Sequence, residues 1–302
     1  MNFKIGVDGG GGTKTEYILT DGSDAIVARR STPGCSPSIM DHASIRANIA
    51  DNLRALEAEA QQRDPKAKIT DVLFCMAGSR IFWGEFGGQI TGYGRVHNFD
   101  DSIPVLELAT GGKSGLVLHS GTGSFVAAGS ADGTAHYAGG LGWRLGDPAS
   151  AYDLGQHAVA RAILELQGWA QSSDLGAAIC QATDIHDANA LTRHFYTDTK
   201  SATMISAFAP HVTRLAEHGN EVAREILINS VTKLGQLANE VIARIFPAKN
   251  ETQLPVGLSG VILQTAAARN TLGAMLDPRC AMHVITEPPI EGVRQLLARL
   301  HA

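Results

Sequence analysis

Apolar and polar positions alternate over the first thirty residues in the manner of short strands. The runs 3–8 and 15–20 are rich in β-branched and aromatic residues, and Asp21-Gly22 marks a turn into a third run at 25–30. Consecutive strands joined by such short connections pair antiparallel. The pattern therefore predicts a three-stranded antiparallel opening.

A longer period replaces this alternation after residue 40. Apolar residues recur at helical spacing over 41–62, and an Asp-Pro pair ends the pattern. The apolar run 71–78 predicts a buried strand, and 95–99 predicts another. Helical spacing resumes at residue 103, with a proline in the first turn, where a proline is tolerated. The first part of the chain thus alternates strands and helices after its opening strands.

The same order begins again near the middle of the chain. Residues 116–130 contain two predicted strands on either side of a Gly-Thr-Gly turn, and 135–140 predicts a third strand. The opening pattern of three strands is therefore repeated, which indicates two α/β halves of similar design.

Long segments of helical period follow this second opening. They cover 151–168 and 201–246, and strands at 254–260 and 282–286 are each followed by a helix, the last within 290–301. The segment 201–246 carries a predicted core stripe. That stripe consists of Ile226, Val231, Leu234, Leu237, Val241 and Ile245.

Composition narrows the function before any motif is considered. The 302 residues contain 25 Lys and Arg against 30 Asp and Glu, a net charge of −5. The chain has no basic block, so it lacks the electrostatic surface that a nucleic acid partner requires. The four cysteines are scattered singly without zinc spacing, which favours a reduced cytoplasm. Because neither a signal peptide nor an apolar run of membrane length can be read, we expect a soluble cytoplasmic protein without a membrane partner.

The number and clustering of the glycines indicate more about function than the net charge does. The chain has 33 glycines, clustered at 9–12, 84–94, 111–123 and 139–146. Glycine permits tight turns and close approach of the backbone to a ligand. We therefore expect these clusters to form loops that carry the function.

Two common nucleotide motifs are absent from these clusters. Gly112-Lys113-Ser114 supplies the end of a Walker A loop, but Glu107 stands where its first glycine is required, and a strand follows instead of a helix. No G-x-G-x-x-G occurs, so the dinucleotide fingerprint is missing.

Two glycine hairpins remain as candidate phosphate loops. A strand ending in Asp8 leads into Gly9 to Thr15, and a later strand leads into Ser120-Gly121-Thr122-Gly123-Ser124. Glycines let backbone N–H groups approach phosphate oxygens, and Asp8 could hold a magnesium ion through water. Each loop alone is typical of an ordinary turn, but the pair favours a phosphate clamp.

These residues resemble one family, the BadF/BadG/BcrA/BcrD ATPases, and within it the N-acetylglucosamine and glucosamine kinase branch of the actin-like sugar kinases. Five motifs carry the resemblance, in the family's order. They are VDGGGGTKTEYIL for the first phosphate motif, LHSGTGSF for the second, GGLGWRLGDPASAYDLG for the glycine-rich segment, VGLSGVI for the adenosine motif and PPIEGVRQLL for the closing helix.

The resemblance implies an α/β fold of two actin-like (ribonuclease H-like) ATPase domains with an interdomain cleft. We divide the chain into an N-terminal domain, 1–112, and a C-terminal domain, 113–302. Packing of the last helix on the N-terminal domain is left open.

The resemblance also implies which residues do the chemistry. Asp101 matches the family's catalytic base, although an aspartate before a helix is also typical of an N-cap. Asp100 replaces the family's more usual asparagine, so the assignment could slip by one residue. Asp147 matches the aspartate beside the sugar and the metal, with a helix cap as the alternative. The family's usual Gly-Asp-Glu-Gly-Ser is Gly-Asp-Pro-Ala-Ser here, and Ser38 replaces an asparagine that would face the sugar hydroxyls.

The resemblance assigns further residues of this chain to contacts with ATP, with magnesium and with an amino sugar. The ATP phosphates are assigned to Gly10, Gly11, Gly12, Thr13, Lys14, Gly121, Thr122 and Gly123, and the adenosine to Ser259, Gly260 and Val261. The sugar is assigned to Ser38, Asp101, Thr122, Gly140 and Asp147, and Mg²⁺ to Asp8 through water.

The implied function is transfer of the γ-phosphoryl of Mg-ATP to a hydroxyl of an amino sugar. The expected acceptor is the 6-hydroxyl of N-acetylglucosamine, with glucosamine next, and a homodimer is expected from the resemblance alone. Two alternatives stay open at this point. They are an ATPase that activates a partner dehydratase and a non-enzymatic, sugar-responsive regulator.

Overall fold

The computed structural model describes residues 1–9, 14–35, 37, 40–197, 201–247 and 253–300. The chain divides into two compact units, the first formed by Met1–Gly112 together with Thr286–Ala302 and the second by Lys113–Ile285. The closing segment of the chain therefore belongs to the same unit as its beginning.

The secondary-structure elements alternate in the two units in a similar way. The first unit begins with β1 (Asn2–Gly9), β2 (Lys14–Thr20), β3 (Ile26–Pro33), α1 (His42–Arg63), β4 (Lys68–Met76), α2 (Arg80–Gln89), β5 (Arg95–Asp100) and α3 (Ser102–Thr110). The second contains β6 (Gly115–Ser120), β7 (Ser124–Gly129), β8 (Ala135–Gly139), α4 (Ala151–Leu166), α5 (Asp174–Thr183), α6 (Ala188–Thr197), α7 (Ser201–Ser206), α8 (Ala209–Glu217), α9 (Glu221–Ile245), β9 (Leu254–Ser259), α10 (Ala266–Met275) and β10 (Cys280–Val284). The chain returns to the first unit with α11 (Pro289–Arg299).

The sheet of the first unit has the strand order β3-β2-β1-β4-β5. Strand β1 pairs antiparallel with β2 and parallel with β4, which in turn pairs parallel with β5. The carboxyl ends of β1, β4 and β5 therefore meet at one edge of the sheet, where ligands bind in open α/β sheets. Asp8 and Asp100 lie at this edge.

Helices cover both faces of this sheet. On one face Phe3 and Val7 pack with Ile49 of α1, and on the other Ile18 and Leu73 pack with apolar residues of α11. Helix α11 approaches β1 so closely that a Cβ on Gly6 would lie 2.6 Å from a methyl carbon of Val293. The close fit explains why the last helix packs within the first unit.

The sheet of the second unit has the order β10-β9-β6-β7-β8. Strand β6 pairs antiparallel with β7 and parallel with β9, as β1 does with β2 and β4. The repeated opening predicted from the sequence is confirmed. The carboxyl ends of β6 and β9 thus form the equivalent edge of this second sheet.

The helices differ from the prediction in three places. The glycine cluster at 84–94 is not a ligand loop throughout, because Gly84, Gly87 and Gly88 lie inside α2. The segment 201–246, predicted to be helical, contains three helices, α7, α8 and α9. Helices α5 and α6 were not predicted at all.

The predicted core stripe of α9 is displaced on the helix surface. Val231 and Leu234 are buried as predicted, whereas Ile226, Leu237, Val241 and Ile245 only border the core and Leu227 and Ile242 are buried in addition. The buried face also carries Gly235, where a Cβ would lie 2.6 Å from the sulfur of Met275 in α10. The prediction counted only large apolar residues, so it did not include the small buried residues Ala223, Ser230, Gly235 and Ala238, which allow close packing on this face.

No helix among the described residues is long and apolar enough to span a membrane.

Candidate functional site

Asp8 is a buried carboxylate at the ligand-binding edge of the first sheet. It stands opposite Glu16 on one side and Cys75 on the other. Its Oδ1 atom is buried without a hydrogen-bond partner among the described residues. Burial raises the pKa of Asp8 to about 7, and the charges of Asp101 and Glu16 add to the shift while Lys14 opposes it. A carboxylate held in this state favours a cation beside it.

Asp101 follows the end of β5 and precedes α3. It occupies the N-cap position, but its side chain makes no capping hydrogen bond, and its backbone is already helical with φ −63° and ψ −15°. The alternative interpretation of Asp101 as a helix cap is therefore not supported. Burial, followed by the charge of Asp100, raises its pKa to about 6. The two carboxylates Asp8 and Asp101 are close enough for each charge to matter to the other.

Asp100 differs from its neighbour because it is paired. Arg80, the first residue of α2, donates from Nε to Oδ1 at 2.9 Å and from Nη2 to Oδ2. Both oxygens of Asp100 are thus held by one guanidinium, whereas no salt bridge to Asp101 is found among the described residues. The structure thus distinguishes Asp100 from Asp101, the residue that the resemblance assigned as the base.

In the second unit, the hairpin between β6 and β7 lies at the edge of the sheet where the carboxyl ends of β6 and β9 meet. Within the turn the N–H of Gly121 donates to the carbonyl of Gly123 at 2.9 Å, and the N–H of Ala151 donates to the carbonyl of Gly121 at 2.8 Å. A Cβ on Gly123 would lie 2.9 Å from Oδ2 of Asp147. The turn that contains Thr122 is therefore fixed against the loop that contains Asp147.

Asp147 is buried and accepts a hydrogen bond at 3.0 Å from the N–H of Gly142 through Oδ1. It does not cap α4, because Ser150 is the N-cap and accepts from the N–H of Asp153. The helix-cap alternative for Asp147 is wrong. Burial raises its pKa, against hydrogen bonds from Gly142 and neighbouring backbone.

Two serine hydroxyls join the hairpin to the Asp147 loop. Ser120 donates to the carbonyl of Ala149, and Ser124 donates to the carbonyl of Pro148 at 2.6 Å. Ala149 is buried and has a φ of +64°, a region that favours glycine. Sequence reasoning missed these serines as structural residues, although their placement on either side of Gly-Thr-Gly was a signal.

The predicted adenosine residues lie at the carboxyl end of β9, at the same edge. Gly260 has a φ of +93°, and a Cβ there would lie 1.9 Å from the carbonyl oxygen of Ser120. Ser259 is buried, with its hydroxyl 3.1 Å from Nδ1 of His119, while Val261 is exposed. Because the ends of β6 and β9 lie this close together, only glycine fits at position 260.

Gly140 belongs to this edge as well. Its N–H donates to the carbonyl of Ser124 at 3.0 Å, and its φ is +61°. The structure thus brings Gly121, Thr122, Gly123, Gly140, Asp147, Ser259 and Gly260 to one edge of the second unit.

Several predicted residues lie outside the described part of the chain. They are Gly10, Gly11, Gly12, Thr13 and Ser38. Lys14, which is described, is exposed and pairs with Glu16 at 2.7 Å.

Comparison with known proteins gives a consistent result. A family model for the BadF/BadG/BcrA/BcrD ATPase family matches residues 5–294. The chain is 24% identical to the N-acetyl-D-glucosamine kinase of Dictyostelium discoideum, with 82% of this chain and 81% of that protein covered.

The fold of this chain is also similar to solved structures. A candidate N-acetylglucosamine kinase from Chromobacterium violaceum matches with a TM-score of 0.73 at 25% identity, with 98% of each chain covered. A glucokinase of the ROK family from Streptomyces griseus, solved with glucose and AMPPNP, matches with a TM-score of 0.59 at 15% identity over 99% of each chain. The predicted fold class, α/β with two actin-like domains, is confirmed. With a sheet of the same strand order in each unit and a family model that covers nearly its whole length, the chain belongs to the BadF/BadG/BcrA/BcrD ATPase family.

Proposed function

We propose that this protein transfers the γ-phosphoryl group of Mg-ATP to a hydroxyl of an amino sugar. The acceptor we propose is the 6-hydroxyl of N-acetylglucosamine, with glucosamine as the second substrate. The observation that carries the proposal is Asp101, a carboxylate at the ligand-binding edge of the first sheet that neither caps α3 nor forms a salt bridge within the described chain.

Asp101 has the properties of a general base for this reaction. Phosphoryl transfer requires a group that orients the attacking hydroxyl and accepts its proton. A base works best when its pKa lies near the operating pH, and burial has raised the pKa of Asp101 to about 6. In its ionised form Asp101 would accept a hydrogen bond from the sugar hydroxyl and then its proton.

The hairpins supply the groups that suit a triphosphate. Gly121 and Gly123 carry no side chains of their own, and Thr122 adds a hydroxyl donor between them in the second hairpin. We assign Gly10, Gly11, Gly12, Thr13 and Lys14 to the same role in the first hairpin, and Ser259, Gly260 and Val261 to the adenosine. Ser38, Gly140, Thr122 and Asp147 are assigned to the sugar.

The residues of the first unit also fit a magnesium ion. The orphaned Oδ1 of Asp8 is a hard oxygen donor, and a water of the ion's hydration shell would satisfy it. Bound with ATP, the ion would neutralise charge on the phosphates. Asp8 itself would hold that hydration shell and would be ionised as a result.

The proposal is tested with purified protein, Mg-ATP and a panel of hexoses and amino sugars. We expect phosphorylation of N-acetylglucosamine first and glucosamine second. Asp101→Asn should lower kcat by about 10²- to 10⁴-fold while nucleotide binding is retained. Asp51→Asn, an exposed aspartate in α1, is the matched control. Full activity of the Asp101 variant would disprove the assignment of the base.

The cysteines do not favour the alternative of a dehydratase activator that holds a metal cluster. Cys35, Cys75 and Cys180 are buried, and burial raises the thiol pKa of Cys75, Cys180 and the half-buried Cys280. A thiol must be ionised to bind metal. Iron analysis after anaerobic purification tests this point, because an iron-rich, coloured protein would favour the activator. We further propose a cytoplasmic homodimer, to be tested by sedimentation and by fractionation of cells.

A further inference from the structure

Two carboxylates follow each other at the end of β5, and only one of them is paired. Arg80 holds both oxygens of Asp100, with Nε 2.9 Å from Oδ1 and Nη2 on Oδ2. Arg80 lies on α2, twenty residues before Asp100 in the chain. Asp101, the next residue, makes neither a cap nor a salt bridge within the described chain.

The charges around Asp101 make this pairing matter. Asp100 on β5 acts on Asp101 with its negative charge. Asp101 acts in the same way on Asp8 of β1, which Glu16 and Lys14 of β2 also influence, and all three aspartates act on Cys75 of β4. Arg80 is the cation that the structure places on this group from α2. A bidentate guanidinium pair is the strong form of such a contact and fixes the carboxylate in orientation as well as charge.

We propose that Arg80 is a positioning residue for the base, which binds Asp100 so that Asp101 alone is left to accept the proton of the sugar hydroxyl. The inference rests on the proposed kinase activity. By offsetting part of the charge of Asp100, Arg80 limits the repulsion between Asp100 and the ionised form of Asp101 and reduces repulsion of the phosphate groups of ATP. Asp100 is then a paired neighbour of the base instead of a competitor for its role.

The test is a double-mutant cycle in the full-length protein. Arg80→Gln leaves Asp100 charged and unpaired, and should lower kcat/KM by about 3- to 10-fold well below pH 6 but by no more than about twofold at pH 7. The acidic limb of its pH profile should move upward by about half to one pH unit, as expected for one added charge at close range near a protein surface. Asp100→Asn should keep kcat/KM within about threefold of wild type. The double variant should recover most of the loss caused by Arg80→Gln, because the charge that needed a partner is gone.

Two further variants separate charge from general damage to the fold. Arg80→Lys retains the charge but not the bidentate geometry, and should fall between wild type and Arg80→Gln. Arg54→Gln breaks an exposed ion pair with Asp51 in α1 and should leave the profile unchanged. A double variant as slow as Arg80→Gln would overturn the proposal, as would an Asp100→Asn enzyme as inactive as Asp101→Asn.

A second measurement keeps this inference separate from the kinase proposal. Carboxyl ¹³C NMR of metal-free protein, with Asp101 assigned by its Asn variant, reports the titration of Asp101 directly. An upward shift in Arg80→Gln would support the pairing inference even if no sugar were phosphorylated. An unchanged titration in an active enzyme would overturn the inference and leave the kinase proposal standing.

Discussion

Replacing Asp8 with asparagine tests the idea that this carboxylate is held at an energetic cost in the absence of a cation. Asp8 is 7% exposed, its Oδ1 lacks a partner among the described residues, and its pKa rises from 3.8 to about 7. The native state therefore binds a proton between about pH 4 and pH 7 that the unfolded chain has released. The free energy of unfolding must fall as the pH rises through this window and level off above it.

The size of the effect follows from the shift. About three pKa units at 1.36 kcal/mol each give a cost near 4 kcal/mol for the charged form above pH 7. A buried amide that lacks partners costs about 1–3 kcal/mol of its own. We therefore expect Asp8→Asn to be more stable than wild type by about 1–3 kcal/mol near pH 8, and equal or less stable near pH 4.

The assay is urea unfolding at several pH values, with EDTA and without nucleotide. Most aspartates whose pKa is lowered, such as Asp71 and Asp132, act below about pH 4, so their contribution does not overlap this window. Asp101 contributes in the same direction, and its Asn variant measures that share. Asp51→Asn is the exposed control. If Asp8→Asn were destabilised equally at pH 4 and pH 8, the reasoning about a buried, unpaired charge would be refuted.

Three further predictions concern the fold. Leu227→Ala in α9 should cost about 2–5 kcal/mol in the free energy of unfolding and Ile226→Ala clearly less, because only Leu227 is fully buried; equal losses would contradict the observed face of the helix. Ala149→Gly should be nearly neutral, since relief of the positive φ offsets the lost methyl group, whereas Ala158→Gly inside α4 should cost about 2 kcal/mol; both are measured by denaturant unfolding. Gly260→Ala should cost at least about 2 kcal/mol and weaken ATP binding measured by calorimetry, because a Cβ at a φ of +93° would meet the carbonyl at the end of β6; normal stability and affinity would contradict that close approach.

The strands and the two hairpins could be predicted from the sequence because their signals are local. Alternation of period two, turn residues between strands and the repeat of this pattern all depend on residues close together in the chain. The recurrence of Asp8 with its glycine turn and of Ser120 with Gly-Thr-Gly was enough to indicate two similar halves. The helix α2 was missed because its three glycines resemble a loop, and its Phe82 and Phe86 are buried in a cluster that includes residues of α1 and β4, distant in the chain.

The sequence by itself determined the repeated α/β design, the glycine turns and the family, since these rest on periodicity, on backbone permissiveness and on the order of motifs. Only the tertiary structure decided which of Asp100 and Asp101 is paired, because the partner, Arg80, reaches the end of β5 from helix α2. It also decided that Asp8 is buried with a raised pKa, because that property depends on strands β2 and β4 packed on either side. Burial and charge are set by neighbours distant in the chain, and no local pattern of residues specifies them.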